Sequence, residues 1–137
     1  MNEFLWPVRV YYEDTDSGGV VYYANYLRFM ERARTEYLRS LGFEQDALIR
    51  DEGIIFAVRS VSAEYHKPAR FNDLLEVSAE ITDLGKASVS FAQRVRRAGD
   101  EDVTLCSATV RIACLDAASL RPRAIPVSML GELSREC

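Results

Sequence analysis

The apolar residues of this chain change their spacing partway along it, and that change limits the folds open to it. From Tyr26 onward, Phe29, Met30, Ala33, Tyr37, Leu38 and Leu41 recur at three and four residues, which lays one buried stripe along a helix. Gly42 followed by Phe43 predicts its C-terminal stop. Residues 44–52 (EQDALIRDE) predict a short second helix that ends at Gly53. After that point the period falls to two, and residues 54–66, 74–83, 87–97 and 103–115 read as strands. Leu75, Val77, Ala79 and Ile81 share one face, as do Val89, Phe91 and Val95, and as do Cys106, Ala108, Val110, Ile112 and Cys114. The segment 54–66 changes phase between Val58 and Val61, as a β-bulge requires. Residues 5–13, rich in Val and Tyr, predict a first strand with Pro7 near its exposed beginning.

One long helix and about five strands result. Short connections between the late strands predict antiparallel neighbours, and the helix supplies an apolar stripe to cover one sheet face, which is an α+β architecture. No internal repeat, low-complexity stretch or linker interrupts residues 1–137, so they read as a single domain. One sheet around one helix leaves sheet edges in need of partners, which predicts a homodimer or homotetramer.

Composition narrows the chemistry. With 17 basic and 21 acidic residues the net charge is −4, so no global positive field recruits nucleic acid or an anionic membrane. No apolar run is long enough for a transmembrane segment, and MNEFLWPVR lacks the pattern of a signal peptide, so a cytoplasmic address is expected. Cys106, Cys114 and Cys137 have no metal-type spacing, and two of them on one strand lie roughly 26 Å apart, out of disulfide reach. His66 is the one histidine, which removes multi-histidine metal centres; no metal and no cofactor are expected.

The chemistry concentrates in residues 12–34, YEDTDSGGVVYYANYLRFMERAR. A strand ends in acids, a glycine pair follows, and a helix begins near residues 23–25. Gly18 and Gly19 allow close approach of a ligand to the main chain, and the helix start offers unpaired N–H groups with a partial positive charge. Asp16 falls beside the same point. Donors that polarise a carbonyl, next to a carboxylate that attacks it or activates water, suit cleavage of an ester or thioester without a metal. On physical grounds alone, a turn closed by a capping residue is the commoner outcome of such a loop.

The run Thr15, Asp16, Ser17, Gly18, Gly19, Val20, Val21 resembles the signature of the hydroxybenzoyl-CoA thioesterase family. The likeness continues through WPVRVYYEDTD, ERARTEYL, EYHKPARFNDLLEV and LRPRAIP, and is closest in kind to the branch associated with the Tol-Pal envelope system. This resemblance implies a hotdog fold, assembly as dimers or tetramers with active sites between subunits, and hydrolysis of a short- or medium-chain acyl-CoA. It gives Asp16 the catalytic place, as base or nucleophile, and Tyr23 the place whose backbone N–H meets the thioester carbonyl, with Gly19 beside it. Coenzyme A enters as part of the substrate. The Tol-Pal branch commonly has His where this chain has Tyr23, a departure that leaves a main-chain role intact.

Asp14 is the rival carboxylate if the first strand persists to Asp16. Glu31 and Glu36 on the helix read as solvated or paired with Arg28, Arg32 or Arg34. His66 reads as structural or exposed in preference to a ligand contact. For coenzyme A phosphates the basic candidates are Arg59, Lys86, Arg94 and Arg96; the family's cofactor strand puts Lys86 and Ser88 first. An acyl carrier protein thioester offers the same pantetheine arm. A hydratase lacks its usual histidine here, and a non-catalytic role as acyl-ligand binder or envelope-complex partner gives no use to Asp16.

Overall fold

The computed structural model describes residues 3–137. Five strands form one antiparallel sheet in the order β1-β3-β4-β5-β2: β1 (Phe4–Arg9), β2 (Ile54–Tyr65), β3 (Leu74–Leu84), β4 (Ser88–Arg97) and β5 (Cys106–Asp116). The helix α1 (Asn25–Ser40) lies across one face, packed against β1, β3 and β4. Phe29, Met30, Ala33, Tyr37 and Leu38 are buried as the stripe predicts. The Tyr37 ring stacks on Phe4 at 5.3 Å and meets Phe91 edge-on at 6.3 Å, which ties the helix to the first and fourth strands. Each such large apolar side chain contributes about 1.5–3 kcal/mol by leaving water.

At the helix C-terminus Gly42 takes φ 97°, its N–H donating to Arg39 O, while Phe43 N–H donates to Leu38 O. That pair of bonds is a Schellman motif and accounts for the stop. The predicted second helix is one short turn, α2 (Gln45–Ala47), which widens into a π-turn (Leu48–Glu52) before Gly53. The bulge falls where the phase change required it: Val58 pairs with Ile112 and Ser60 with Arg111, so Arg59 is the extra residue. It keeps Val61, Ala63 and Tyr65 on the same face as Ile54, Phe56 and Val58.

One expectation needs correction, and two features stand outside what the sequence predicts. The first strand ends at Arg9, and Tyr12–Asp14 form a 3₁₀ turn in place of its last residues. β3 and β4 carry a second register shift, between Ile81 and Asp83, that the alternation did not announce. A third helix, α3 (Val127–Ser134), buries Met129 and Leu133 and packs against β3, and beyond its end Glu136 accepts the Tyr37 hydroxyl at 3.0 Å. Its two apolar anchors are too few to show a period in the sequence. All three cysteines are free, with Cys106 and Cys114 buried on β5. Among the described residues no helix is long and apolar enough to cross a membrane.

Candidate active site

The chain between β1 and α1 is held in place by backbone pairing to two other segments. Thr15 pairs with Val21, closing residues 15–21 into a small hairpin, and Val20 pairs with Arg70 of the β2–β3 connection. Tyr22 N–H donates to Asp14 O and Val21 N–H to Ala69 O, both near 2.9 Å. Two helix residues complete the anchoring. Asn25, buried, donates from Nδ2 to Asp14 O at 2.9 Å, and buried Tyr26 accepts the Ala69 N–H on its hydroxyl at 2.9 Å. Both side chains tie the first turn of α1 to the loop, and neither was singled out in the sequence. Their signal was there in part, since a polar Asn and an amphipathic Tyr open an otherwise apolar stripe.

Asp16 sits at the tip of the hairpin and is exposed. Its Oδ1 accepts the Gly18 N–H at 2.8 Å, and its backbone oxygen accepts the Gly19 N–H at 3.1 Å. Gly19 has φ 78°, which favours glycine, and a Cβ on Gly18 would stand 3.2 Å from Asp16 Oδ1. The carboxylate is thus oriented by its own loop, with Oδ2 open to solvent chemistry. A few residues on, α1 begins: Asn25 N–H donates to Tyr22 O and Tyr26 N–H to Tyr23 O. Among the described residues the N–H groups of Tyr23 and Ala24 have no acceptor. They are the free donors expected at a helix start.

Beside them lies a cavity of about 220 Å³ lined by Val21, Tyr23, Tyr26, Tyr65 and Pro68, with His66 and Lys67 also on its wall. Tyr23 meets Tyr65 edge-on at 5.9 Å, and Tyr26 lies 5.7 Å from Tyr65. Burial pushes the phenols of Tyr26 and Tyr65 up, so both stay neutral at ordinary pH. The cavity therefore offers a mainly aromatic lining, with Lys67 on its wall, at the residue whose N–H is free, Tyr23. His66, read as structural or exposed, bonds Ser107 Oγ through Nε2 at 3.0 Å and still borders this cavity.

The other candidates fall elsewhere. Asp14 does not share a strand face with Asp16; its Oδ2 closes the 3₁₀ turn by accepting the Tyr11 N–H at 2.9 Å. Glu31 accepts the Thr35 hydroxyl at 2.7 Å, and Glu36 pairs with Arg39, not with the arginines first considered. Arg94 pairs with Glu3 at 2.9 Å, and Arg96, buried, with Glu76 at 3.1 Å, so both are engaged on the outer sheet face. Arg59 is the exposed bulge residue. The fold does not bring Lys86 and Ser88 to Asp16 within one protomer. Lys86 lies in the β3–β4 turn and Ser88 opens β4, and β3, with 11 residues, separates them from the hairpin by roughly 33 Å. Ser88 Oγ there accepts from Arg111 at 3.1 Å.

Comparison with known proteins gives this geometry a family. Residues 18–104 match the thioesterase superfamily. The chain is 48% identical over 132 residues to the acyl-CoA thioester hydrolase YbgC of Escherichia coli O6:H1, covering 96% of each. It is 46% identical to the acyl-CoA thioesterase YbgC of Haemophilus influenzae, covering 91% of this chain and 90% of that one. The crystal structure of a probable thioesterase from Bartonella henselae superposes with a TM-score of 0.85 at 34% identity, over 91% of this chain and all of the other. With the one-helix sheet, the Asp16 hairpin and these likenesses in agreement, the chain belongs to the thioesterase superfamily and is a thioester hydrolase of the hotdog fold.

Proposed function

We propose that the enzyme hydrolyses short- or medium-chain acyl-CoA to a free acid and coenzyme A, with Asp16 as the catalytic carboxylate. The observation that carries this reading is the common anchoring of Asp16 and the free Tyr23 N–H on one cross-braced loop. The thioester carbonyl accepts from the Tyr23 N–H, and Gly19 leaves the approach clear. Asp16 either takes a proton from an attacking water or attacks the carbonyl itself. Negative charge gathers on the carbonyl oxygen, the C–S bond breaks, and the thiolate of coenzyme A leaves. No cofactor takes part. The relatives named for acyl-CoA favour that donor over an acyl carrier protein.

The same reading includes a cytoplasmic homodimer, or a tetramer of two such dimers. Its support is β2, a 12-residue edge strand whose Val58, Val61 and Tyr65 are 51%, 41% and 46% exposed. A long edge with that much apolar surface needs a partner. In such a dimer Lys86 and Ser88 serve the neighbouring subunit's coenzyme A, being out of reach of their own Asp16.

Thiol release from a panel of acyl-CoAs of increasing length, by the native protein and Asp16→Asn, tests the reading. A loss of about 10²-fold or more with unchanged fold and assembly supports Asp16. Undiminished turnover in the variant refutes it.

A further inference from the structure

Beyond the end of β1, three aromatic side chains reach the surface together, and the reaction at Asp16 uses none of them. Tyr11, Tyr12 and Phe71 are 60%, 75% and 40% exposed. The rings of Tyr12 and Phe71 lie 3.9 Å apart and 9° from parallel, so Phe71 covers one face of Tyr12 and leaves the other open. Aromatic side chains gathered at a surface, in contrast to ones scattered singly, mark a binding site. They border a cavity of about 490 Å³, inside the range of about 300–1,000 Å³ usual for small ligands. This cavity shares no lining residue with the one at Tyr23.

Three polar side chains complete its wall: Arg9, Glu13 and Asn72. The backbone fixes Asn72, which takes φ 70°, donates its N–H to Val10 O at 2.9 Å and accepts from Arg9 Nη1 on its carbonyl at 2.7 Å. Among the described residues its side-chain amide has no partner, and neither Arg9 nor Glu13 forms an ion pair. We propose that this cavity binds an adenine nucleotide, with the base stacked on the open face of Tyr12 and its edge on Asn72, the ribose on Glu13 and the phosphate on Arg9. Asn72 selects the base. A carboxamide sets an acceptor beside a donor, which matches the N6 amino group and N7 of adenine, whereas guanine shows two acceptors there. A carboxylate accepts from ribose hydroxyls, and a guanidinium donates to phosphate. Because Glu13 opposes the phosphate that Arg9 attracts, the base and not the charge carries most of the affinity.

A free adenine nucleotide and the 3′-phosphoadenosine end of coenzyme A share this chemistry, and only the second source rests on the proposed reaction. The test is calorimetric titration of the full-length protein with AMP and with GMP, each on the native chain, Tyr12→Ala and Asn72→Gly, with thermal melts as a fold control. Both variants should keep the fold, since Tyr12 is mostly in solvent and a φ of 70° favours glycine. AMP should bind the native protein, and bind each variant about tenfold more weakly or worse. GMP should bind the native protein about tenfold more weakly than AMP. Coenzyme A then separates the sources: displacement of AMP by coenzyme A but not by pantetheine assigns the base to the substrate, and simultaneous binding assigns a free nucleotide. Either result supports the site. Absence of AMP binding, unchanged affinity in either variant, parity between AMP and GMP, or displacement of AMP by an equal concentration of inorganic phosphate overturns it. The titrations contain no thioester, so loss or retention of activity in Asp16→Asn bears on none of these results.

Discussion

Replacing Tyr26 with Phe isolates one brace of the Asp16 loop, because the change removes an oxygen and leaves no cavity. Tyr26 is 3% exposed and Ala69 is fully buried, so the Ala69 N–H that now donates to the phenol is left without a partner and without water. An unsatisfied buried donor costs about 1–3 kcal/mol. For 137 residues the unfolding entropy is about 0.29 kcal/mol/K, which turns that loss into a fall in melting temperature of about 4 to 10 °C. The loosened element is the segment that holds Val21 through Ala69 O and Val20 through Arg70, so the Asp16 hairpin loses support from one side. Circular dichroism melts give the stability, hydrogen exchange at the Ala69 amide locates it, and thiol release follows kcat, which should fall with KM little changed. A melt within about 1 °C of the native protein, with an unaltered Ala69 exchange rate, would refute the brace.

Other changes probe the rest of the framework. Val61→Lys puts a charge on the exposed edge of β2 and should turn the proposed dimer into a monomer in sedimentation, with activity lost alongside. Burial pushes the Cys106 thiol up from 9.0 to about 11, so native labelling with a thiol reagent at pH 8 should modify Cys137 fast and the two buried cysteines only after unfolding. By linkage, the stability from keeping Cys106 neutral is full below pH 9 and lost as pH rises through 11. Cys106→Ala should flatten that part of the stability–pH curve measured by denaturant melts. A Cβ on Gly85 would stand 2.8 Å from Ser88 Oγ, so Gly85→Ala should destabilise by about 1 kcal/mol through loss of the Arg111 bond. The same substitution on a Ser88→Ala background should add almost nothing, a coupling that a double-mutant cycle reads directly.

The architecture was legible wherever burial follows a period. The stripe from Tyr26 to Leu38 and the alternations of β3 and β5 each name residues that are buried, because a helix face and a pleated strand leave no choice once one side meets the core. The Arg59 bulge was legible for the same reason, since one extra residue flips every later side chain unless the ladder absorbs it. Where burial does not follow a period, the reading failed. Residues 10–13 look like strand by composition, but the regular ladder ends at Arg9, Val10 alone keeps bonds to Asp73 O and the Asn72 N–H, and Asp14 turns back to cap Tyr11. Lys86 and Ser88 could not be separated from Asp16 in sequence, because their distance is set by sheet topology, not by residue type.

The site shows the same division more sharply. Asp16, Gly19 and Tyr23 lie on one short stretch, so local sequence alone brings these candidates onto one loop. The Arg34–Gln93 contact joins α1 to β4, 59 residues apart in sequence, and no local pattern spans those elements. Yet one sign of it was written in β4. Val89, Phe91 and Val95 share the inward phase, and position 93 in that phase is Gln, not an apolar residue. A polar side chain at an inward position must find partners inside, and a strand face points it at the helix that covers it. The helix offers Arg34 on that face, one turn after Met30. A break in an apolar alternation therefore carries information of its own: it marks where two elements exchange hydrogen bonds in the core, here Gln93 of β4 with Arg34 and Met30 of α1.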